Sequence, residues 1–92
     1  MIISFKCEYT EALSQGSRVK KFSNIAKIAR RKIRQLQIAN RLDDLKVPPG
    51  NRLEALKGDR AGQYSIRIND KFRICFNWTN AGAENVEIVD YH

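Results

Sequence analysis

The chain ends on three side chains that exchange protons or accept hydrogen bonds, Asp90, Tyr91 and His92. An imidazole titrates near neutral pH, which suits His92 to general acid–base chemistry. A tyrosine has a reference pKa of about 10, so Tyr91 needs cationic neighbours before it can take part in proton transfer. Taken alone, a terminal Tyr-His pair is more often an exposed tail than a site. Any chemistry here therefore depends on which residues the fold brings beside this end.

The last third of the chain alternates between apolar and polar residues, which predicts consecutive β-strands. The strands cover 63–69, 72–78 and 86–91. Asn69-Asp70-Lys71 and the segment 79–83 have the composition of hairpin turns. An antiparallel sheet with one apolar face follows from this pattern.

Strand parity assigns residues to the two faces of the predicted sheet. One face is apolar and comprises Tyr64, Ile66, Ile68, Phe72, Ile74, Phe76, Trp78, Val86 and Ile88. Arg73 and Tyr91 share the opposite, non-core face. Alternation does not place Lys57, because the segment 53–57 needs a bulge or a strand end to fit.

The middle of the chain predicts a long amphipathic helix that begins at Ser23 or Asn24 and runs to about Ala39. The predicted core stripe consists of Ile25, Ala29, Ile33, Leu36 and Asn40, with Ile28 and Ala39 beside it. The opposite face carries Lys27, Arg30, Arg31, Arg34 and Arg41. Such a face suits phosphates or an acidic partner.

The flanking segments complete an α+β pattern. Ile2 to Phe5 predicts a short strand, and Thr10 is a candidate cap for a short helix over 11–14. After the long helix, 41–45 either continues it beyond a kink or leads into the Pro-Pro-Gly turn that ends it. The pattern does not decide whether 17–22 is ordered.

Composition favours one small domain over residues 1–92 in the cytoplasm, since no segment suits a signal peptide or a membrane span. The net charge is +7, and 17–52 holds eleven Lys and Arg against two Asp, which favours a polyanionic partner. Two distant cysteines and one histidine provide too few ligands for a zinc site, and we expect neither a metal nor another cofactor.

Several motifs together resemble the HigB-type toxins of the RelE superfamily. They are Leu-Glu-Ala-Leu-Lys-Gly-Asp-Arg-Ala-Gly from Leu53, Ser-Ile-Arg from Ser65, Phe-Arg-Ile-Cys-Phe from Phe72, and the terminal Asp-Tyr-His. The resemblance spans the whole chain and is specific in the last forty residues. It implies a RelE-like fold, with helices packed on one face of a small, curved, mostly antiparallel sheet.

The resemblance further implies the toxin of a type II toxin–antitoxin system, a metal-independent endoribonuclease that cuts mRNA in the aminoacyl site of the ribosome by 2′-OH attack. Its partners would be the ribosome, mRNA and a cognate HigA-like helix-turn-helix antitoxin, which alone would contact operator DNA; no membrane is involved. The residues that carry over are Lys57 and Arg73 at the scissile phosphate and Asp90, Tyr91 and His92 from the terminal strand.

Two positions depart from the family pattern. Some relatives carry histidine where this chain has Glu54, so a second histidine is absent here, and we expect Glu54 to be a structural partner for a nearby cation. Phe72 replaces a tryptophan that commonly precedes the strand arginine.

Two alternatives share the same basic surface. The first is a non-catalytic RNA- or ribosome-binding module, which would not need Lys57, Arg73, Tyr91 and His92 together. The second is an interaction subunit whose basic helix docks an acidic protein. A DNA-binding role is disfavoured, because the chain shows no helix-turn-helix pattern.

Overall fold

The computed structural model describes residues 1–90 and contains a curved, open sheet with the strand order β1-β2-β3-β4 and antiparallel neighbours throughout. The strands are β1 (Glu54–Ala55), β2 (Tyr64–Arg67), β3 (Phe72–Thr79) and β4 (Gly82–Asp90). Helices α1 (Glu8–Ser14) and α2 (Ala26–Ile38) pack against this sheet. The predicted α+β architecture is confirmed. Within residues 1–90, no helix has the length and apolar character needed to cross a bilayer.

The hydrophobic core lies between the helices and the face of the sheet that parity predicted to be apolar. Its fully buried side chains come from both layers: Leu13, Leu36, Leu45, Ile66, Ile74, Phe76 and Val86. Each such side chain contributes roughly 1.5–3 kcal/mol through the apolar area removed from water. Tyr64 and Trp78 are partly buried and flank Phe76, with ring centroids 6.3 and 6.5 Å from it.

A β-bulge sets the register of the long β3–β4 hairpin. Opposite the stretch from Cys75 to Asn77, β4 carries one residue more than β3. Asn85 absorbs the extra residue in a left-handed conformation, with φ of 54°. The bulge shifts the side-chain alternation by one, so Ala83 and Val86 both face the core although they are three residues apart.

The observed start of α2 contradicts the predicted one. Ser23 and Asn24 lie in a turn, and the N-cap position belongs to Ile25, which has no capping hydrogen bond from its side chain. A 3₁₀ turn at Lys20–Phe22 precedes the helix and buries Phe22 in the core. Burial of Phe22 and Ile25, rather than a polar cap, therefore fixes where the helix begins.

The end of α2 also changes two assignments. The helix stops at Ile38, and Asn40 is exposed instead of continuing the core stripe. Arg41 lies beyond the helix, at the start of a separate 3₁₀ turn, Leu42–Lys46. The Asp44 carboxylate accepts the backbone N–H groups of Arg41 and Asn40, each at 3.0 Å, and these bonds lower the pKa of Asp44. This local cap, together with burial of Ala39, redirects the chain.

Thr10 is not the helix cap that the sequence predicted. Helix α1 begins at Glu8, and Thr10 is fully buried within it. The Thr10 hydroxyl accepts the backbone N–H of Ile88 at 3.0 Å, which ties α1 to β4. A buried polar side chain is thus satisfied in part by a tertiary contact.

The N-terminal segment runs parallel to β4 and forms isolated bridges at Ile2 and Phe5 in place of the predicted continuous strand. Its close approach requires glycine at position 82. A Cβ built on Gly82 would lie 2.1 Å from the Met1 carbonyl oxygen, and φ there is 138°. The hairpin turn and the chain's first residue are therefore packed backbone to backbone.

Candidate active site

Arg73 lies on the face of the sheet that does not contact the helices. The register places it opposite Arg67 on β2 and Val89 on β4. Glu54, Ser65, Cys75 and Glu87 form the neighbouring row on the same face.

Three groups within residues 1–90 contact the guanidinium of Arg73. Its Nε–H donates to the Ser65 hydroxyl at 2.8 Å, and Nη2 donates to the Arg52 carbonyl oxygen at 2.8 Å. The Glu54 carboxylate lies 3.7 Å from Nη2, as expected for a structural partner. Only 14% of the Arg73 side chain is exposed. These contacts fix the plane of the guanidinium group.

The Arg52 carbonyl is itself held by a buried hub at Asn51. Arg52 has a left-handed backbone, with φ of 47°. The Asn51 amide donates to Gln35 Oε1 at 2.9 Å and to the Leu45 carbonyl oxygen at 3.1 Å, and Lys32 Nζ donates to its carbonyl oxygen. Asn51 therefore anchors to helix α2 the segment whose next residue, Arg52, supplies the carbonyl that Arg73 contacts.

We expect Asn51→Ala to lower the free energy of unfolding by about 3 kcal/mol, because it leaves the Lys32 ammonium and a backbone carbonyl without their buried partner. Urea unfolding followed by circular dichroism measures this. Asn40→Ala is the matched control at an exposed position, and we expect it to change stability by less than about 0.5 kcal/mol. Equal losses of unfolding free energy in Asn51→Ala and Asn40→Ala would contradict the stabilising role of Asn51.

Cations crowd the end of the sheet near Arg73. Burial lowers the pKa of Lys32, and the nearby charges of Arg31 and Arg67 lower it further. Arg67 also forms an ion pair with Asp70 in the β2–β3 turn. The combined positive potential suits a phosphate group.

Lys57 lies at the end of the segment that contains β1. Its side chain is exposed, and its carbonyl oxygen accepts the N–H of Arg60 at 3.3 Å in the 3₁₀ turn Gly58–Arg60. The strand end that the alternation required is present, since Leu56 N–H still bonds to the Gln63 carbonyl oxygen. In this segment it is Glu54, three residues earlier, that contacts Arg73.

Asp90 pairs in register with Phe72, whose ring packs against Phe22 on the helix side of the sheet. Its carboxylate lies 3.7 Å from Lys71 Nζ. A cavity of about 320 Å³ lies here, lined also by Lys21 and Ile88. Strand alternation thus places Asp90 on the side opposite Arg73. The predicted positions Tyr91 and His92 lie outside the described residues.

The five predicted basic positions of the helix differ in their environments. Lys27, Arg31 and Arg34 are exposed along α2. Arg30 is half-buried and donates to the carbonyl oxygens of Leu13 at 3.1 Å and of Ser17 at 3.0 Å. Arg41 lies beyond the helix, 3.8 Å from Asp43.

Cys75 is fully buried beside Ser65 on the same face as Arg73. Burial raises the pKa of the Cys75 thiol, and the nearby Arg60 only partly offsets this. Cys7 is half-exposed. Burial opposes its ionisation, but hydrogen bonds from Thr10 and Tyr9, together with the charge of Lys21, give it a lowered pKa. Cys75 is thus a neutral lining group and Cys7 the more reactive thiol.

In the folded protein we expect a thiol reagent such as Ellman's reagent to label one cysteine, Cys7, and to label Cys75 only after denaturation. Cys7→Ser should abolish the fast phase, whereas Cys75→Ser should leave it intact. Fast labelling that persists in Cys7→Ser would show that the reagent reaches Cys75 in the folded protein, which contradicts this prediction.

Parity and motifs identified Arg73 but not the groups that hold it. Ser65 has the same strand parity as Arg67, which pairs with Arg73, and this diagonal offset of Ser65 and Arg73 across the hairpin is the signal that could have joined them. The Arg52 carbonyl and the Asn51 hub have no such signal, because both depend on loop geometry. Within residues 1–90, no cluster of three or more His, Cys, Asp or Glu side chains is arranged to hold a metal ion.

Comparison with known proteins gives consistent results. The family model described as "RelE-like toxin of type II toxin-antitoxin system HigB" matches residues 4–92. Toxin HigB-1 of Vibrio cholerae is 34% identical over 87 residues, which cover 92% of each chain. An uncharacterized protein of Haemophilus influenzae is 33% identical over 64 residues, which cover 70% of this chain and 63% of that protein.

Among solved structures, a YoeB/ParE toxin from Agrobacterium tumefaciens superposes with a TM-score of 0.55 at 19% identity. The alignment covers 99% of this chain and 98% of the other. At this identity the likeness concerns the fold, and it matches the helix-on-sheet architecture described above.

Proposed function

We propose that this chain, which belongs to the HigB family of RelE-like toxins of type II toxin–antitoxin systems, is a ribosome-dependent, metal-independent endoribonuclease that cuts mRNA in the aminoacyl site. Family membership establishes the toxin and implies an antitoxin partner. The observation that supports the catalytic part is the guanidinium of Arg73, which two 2.8 Å hydrogen bonds orient on the open face of the sheet, opposite Arg67.

Cleavage of RNA by its own 2′-OH requires three functions. The 2′-OH loses a proton, the phosphorane gains charge that must be stabilised, and the 5′-oxygen is protonated as it leaves. In our proposal Arg73 stabilises the phosphorane, because its planar N–H donors match two phosphate oxygens. His92 protonates the leaving oxygen, since its reference pKa lies near working pH.

The remaining proposed residues have supporting roles. Lys57 supplies a mobile positive charge to the phosphate, consistent with its exposed side chain. Tyr91 positions the general base that takes the 2′-OH proton, or shares in that proton transfer. In our proposal Asp90, which lies 3.7 Å from Lys71 Nζ, orients a neighbouring group.

The exposed cations of α2 form the proposed contact to ribosome or RNA phosphates. Lys27, Arg31 and Arg34 meet this requirement directly. Arg30 and Arg41 add to the potential, although Arg30 donates its hydrogen bonds to protein carbonyls. Phosphate contacts of this kind give affinity that falls with salt.

Weak acids and bases leave much of the rate to alignment of the substrate, which can be worth roughly 7–11 kcal/mol. We therefore propose that the ribosome supplies the alignment. Purified protein should cleave mRNA on programmed ribosomes and leave the same mRNA nearly intact when it is free. Equal cleavage of both substrates would contradict ribosome dependence.

The partner that neutralises this activity is, in our proposal, a HigA-like helix-turn-helix antitoxin, through which the complex would reach operator DNA. The toxin would act in the cytoplasm, where translating ribosomes are found. Co-expression with the antitoxin should relieve growth arrest, and the pair should co-purify.

A further inference from the structure

We propose that Ser65 is a positioning residue for Arg73, which it holds against the Arg52 carbonyl in the orientation needed for phosphate contact. The proposal rests on the proposed function only for the role of Arg73 at the phosphate. The holding itself is a statement about the free protein and is tested separately.

Ser65 is built into the sheet in a way that suits this role. It is fully buried in the middle of β2, where it pairs with Glu54 on one side and with Cys75 on the other. Its hydroxyl oxygen accepts the Nε–H of Arg73 at 2.8 Å. A hydrogen bond from a charged donor in a buried site is stronger than a neutral one. A strand interior also moves little, so the acceptor stays fixed.

The second point of attachment lies on the other side of the guanidinium. The Arg52 carbonyl oxygen accepts the Nη2–H of Arg73 at 2.8 Å. Arg52 has a left-handed backbone and directly follows the buried Asn51. Because Asn51 is bonded to Gln35 and Leu45, this carbonyl is anchored to α2. Two acceptors, one on the sheet and one anchored to the helix layer, thus define the plane of the group.

Orientation matters because a guanidinium recognises phosphate through parallel N–H bonds that lie in its own plane. If Ser65 is removed, Nε–H loses its acceptor and the group can rotate about its remaining bonds. A displacement of about 1 Å from the productive geometry can cost roughly 100-fold in rate. We therefore expect Ser65→Ala to reduce kcat roughly 10- to 100-fold on programmed ribosomes, with KM nearly unchanged.

The chain offers matched variants for this experiment. Ser65→Thr keeps the hydroxyl and should restore most of the activity, whereas Ser65→Ala should not. Cys75→Ala removes one buried atom from the residue directly opposite Ser65 and should leave kcat unchanged. Thermal unfolding of each variant establishes that it is folded. Wild-type kcat in Ser65→Ala, or an equal loss in Cys75→Ala, would overturn the proposal.

Two further measurements separate positioning from an independent effect. In an Arg73→Ala background, Ser65→Ala should cause no additional loss, and an undiminished loss there would overturn the proposal. In the free protein, ¹⁵N NMR should show slow solvent exchange of the Arg73 Nε–H, assigned with Arg73→Lys, and at least tenfold faster exchange in Ser65→Ala.

The NMR measurement also distinguishes the two possible failures. If Arg73→Ala cleaves mRNA like the wild type, the proposed role of Arg73 fails while a protected Nε–H still establishes that Ser65 holds it. If the Nε–H exchanges equally fast with and without Ser65, the positioning role fails whatever the cleavage assay shows.

Discussion

Replacing Arg73 with alanine should abolish growth arrest on expression and lower mRNA cleavage on ribosomes by roughly 10²–10³-fold. Removal of one preorganised donor to a developing oxyanion has about this effect in other enzymes. The side chain is held by Ser65 and the Arg52 carbonyl before any substrate binds, so little reorganisation accompanies reaction. Mapping the 5′ ends of mRNA after brief induction measures the cleavage directly.

Arg67→Ala is the matched control for this substitution. Arg67 lies directly opposite Arg73 in the register, on the same face, and its removal changes the net charge equally. We expect Arg67→Ala to retain most of the cleavage, because its guanidinium is paired with Asp70 in the turn. If folded Arg73→Ala protein still arrests growth, the non-catalytic ribosome-binding alternative becomes the better interpretation.

Strand parity predicted the sheet well because each residue of an alternating strand has only two possible directions. The loop between β2 and β3 contains the predicted turn residues 69–71, and Ile66, Ile74 and Phe76 face the core as the alternation predicted. The bulge at Asn85 could not be predicted from the pattern, since a bulge shifts the alternation without changing composition. Strand β4 therefore begins at Gly82, within the segment that was predicted to be a turn, and not at Val86. Alternation alone therefore predicts the face of the sheet on which Arg73 lies.

Helix boundaries were predicted less well, since they depend on tertiary contacts. Thr10 is a residue type that favours the N-cap position, but its hydroxyl accepts an N–H from β4. Ser23 is also a favoured N-cap type, but it lies in a turn. In both cases burial of neighbouring apolar residues outweighed a capping preference of about 1 kcal/mol. The Asn51 hub was missed for the same reason, because its partners are distant in sequence.

The residues of the candidate site were also predicted in two different ways. Arg73 and its face followed from alternation, whereas Lys57 and Asp90 were grouped with it from motifs. Asp90 lies on the side of β4 toward Lys71 and Phe72, so a direct role beside Arg73 would require a group reaching around the end of the strand. This geometry favours the orienting role that we propose for Asp90.

Ending the chain after Asp90 should have the second largest effect on activity. We expect loss of growth arrest and a roughly 10²–10⁴-fold decrease in cleavage, the range that one or two general acid–base groups contribute. The truncation leaves every described core residue of β4 in place, Ile88 included, so we expect the shortened protein still to fold.

Two point variants divide this effect between the removed residues. His92→Gln keeps a hydrogen-bonding side chain but cannot titrate, and Tyr91→Phe removes only the hydroxyl. If His92 is the general acid, His92→Gln should account for most of the loss and should remove the fall in kcat at alkaline pH, where a neutral imidazole can no longer donate a proton. A truncated protein that cleaves ribosome-bound mRNA at the wild-type rate would exclude the terminal pair from the chemistry and leave Arg73 and Lys57 as the groups to test.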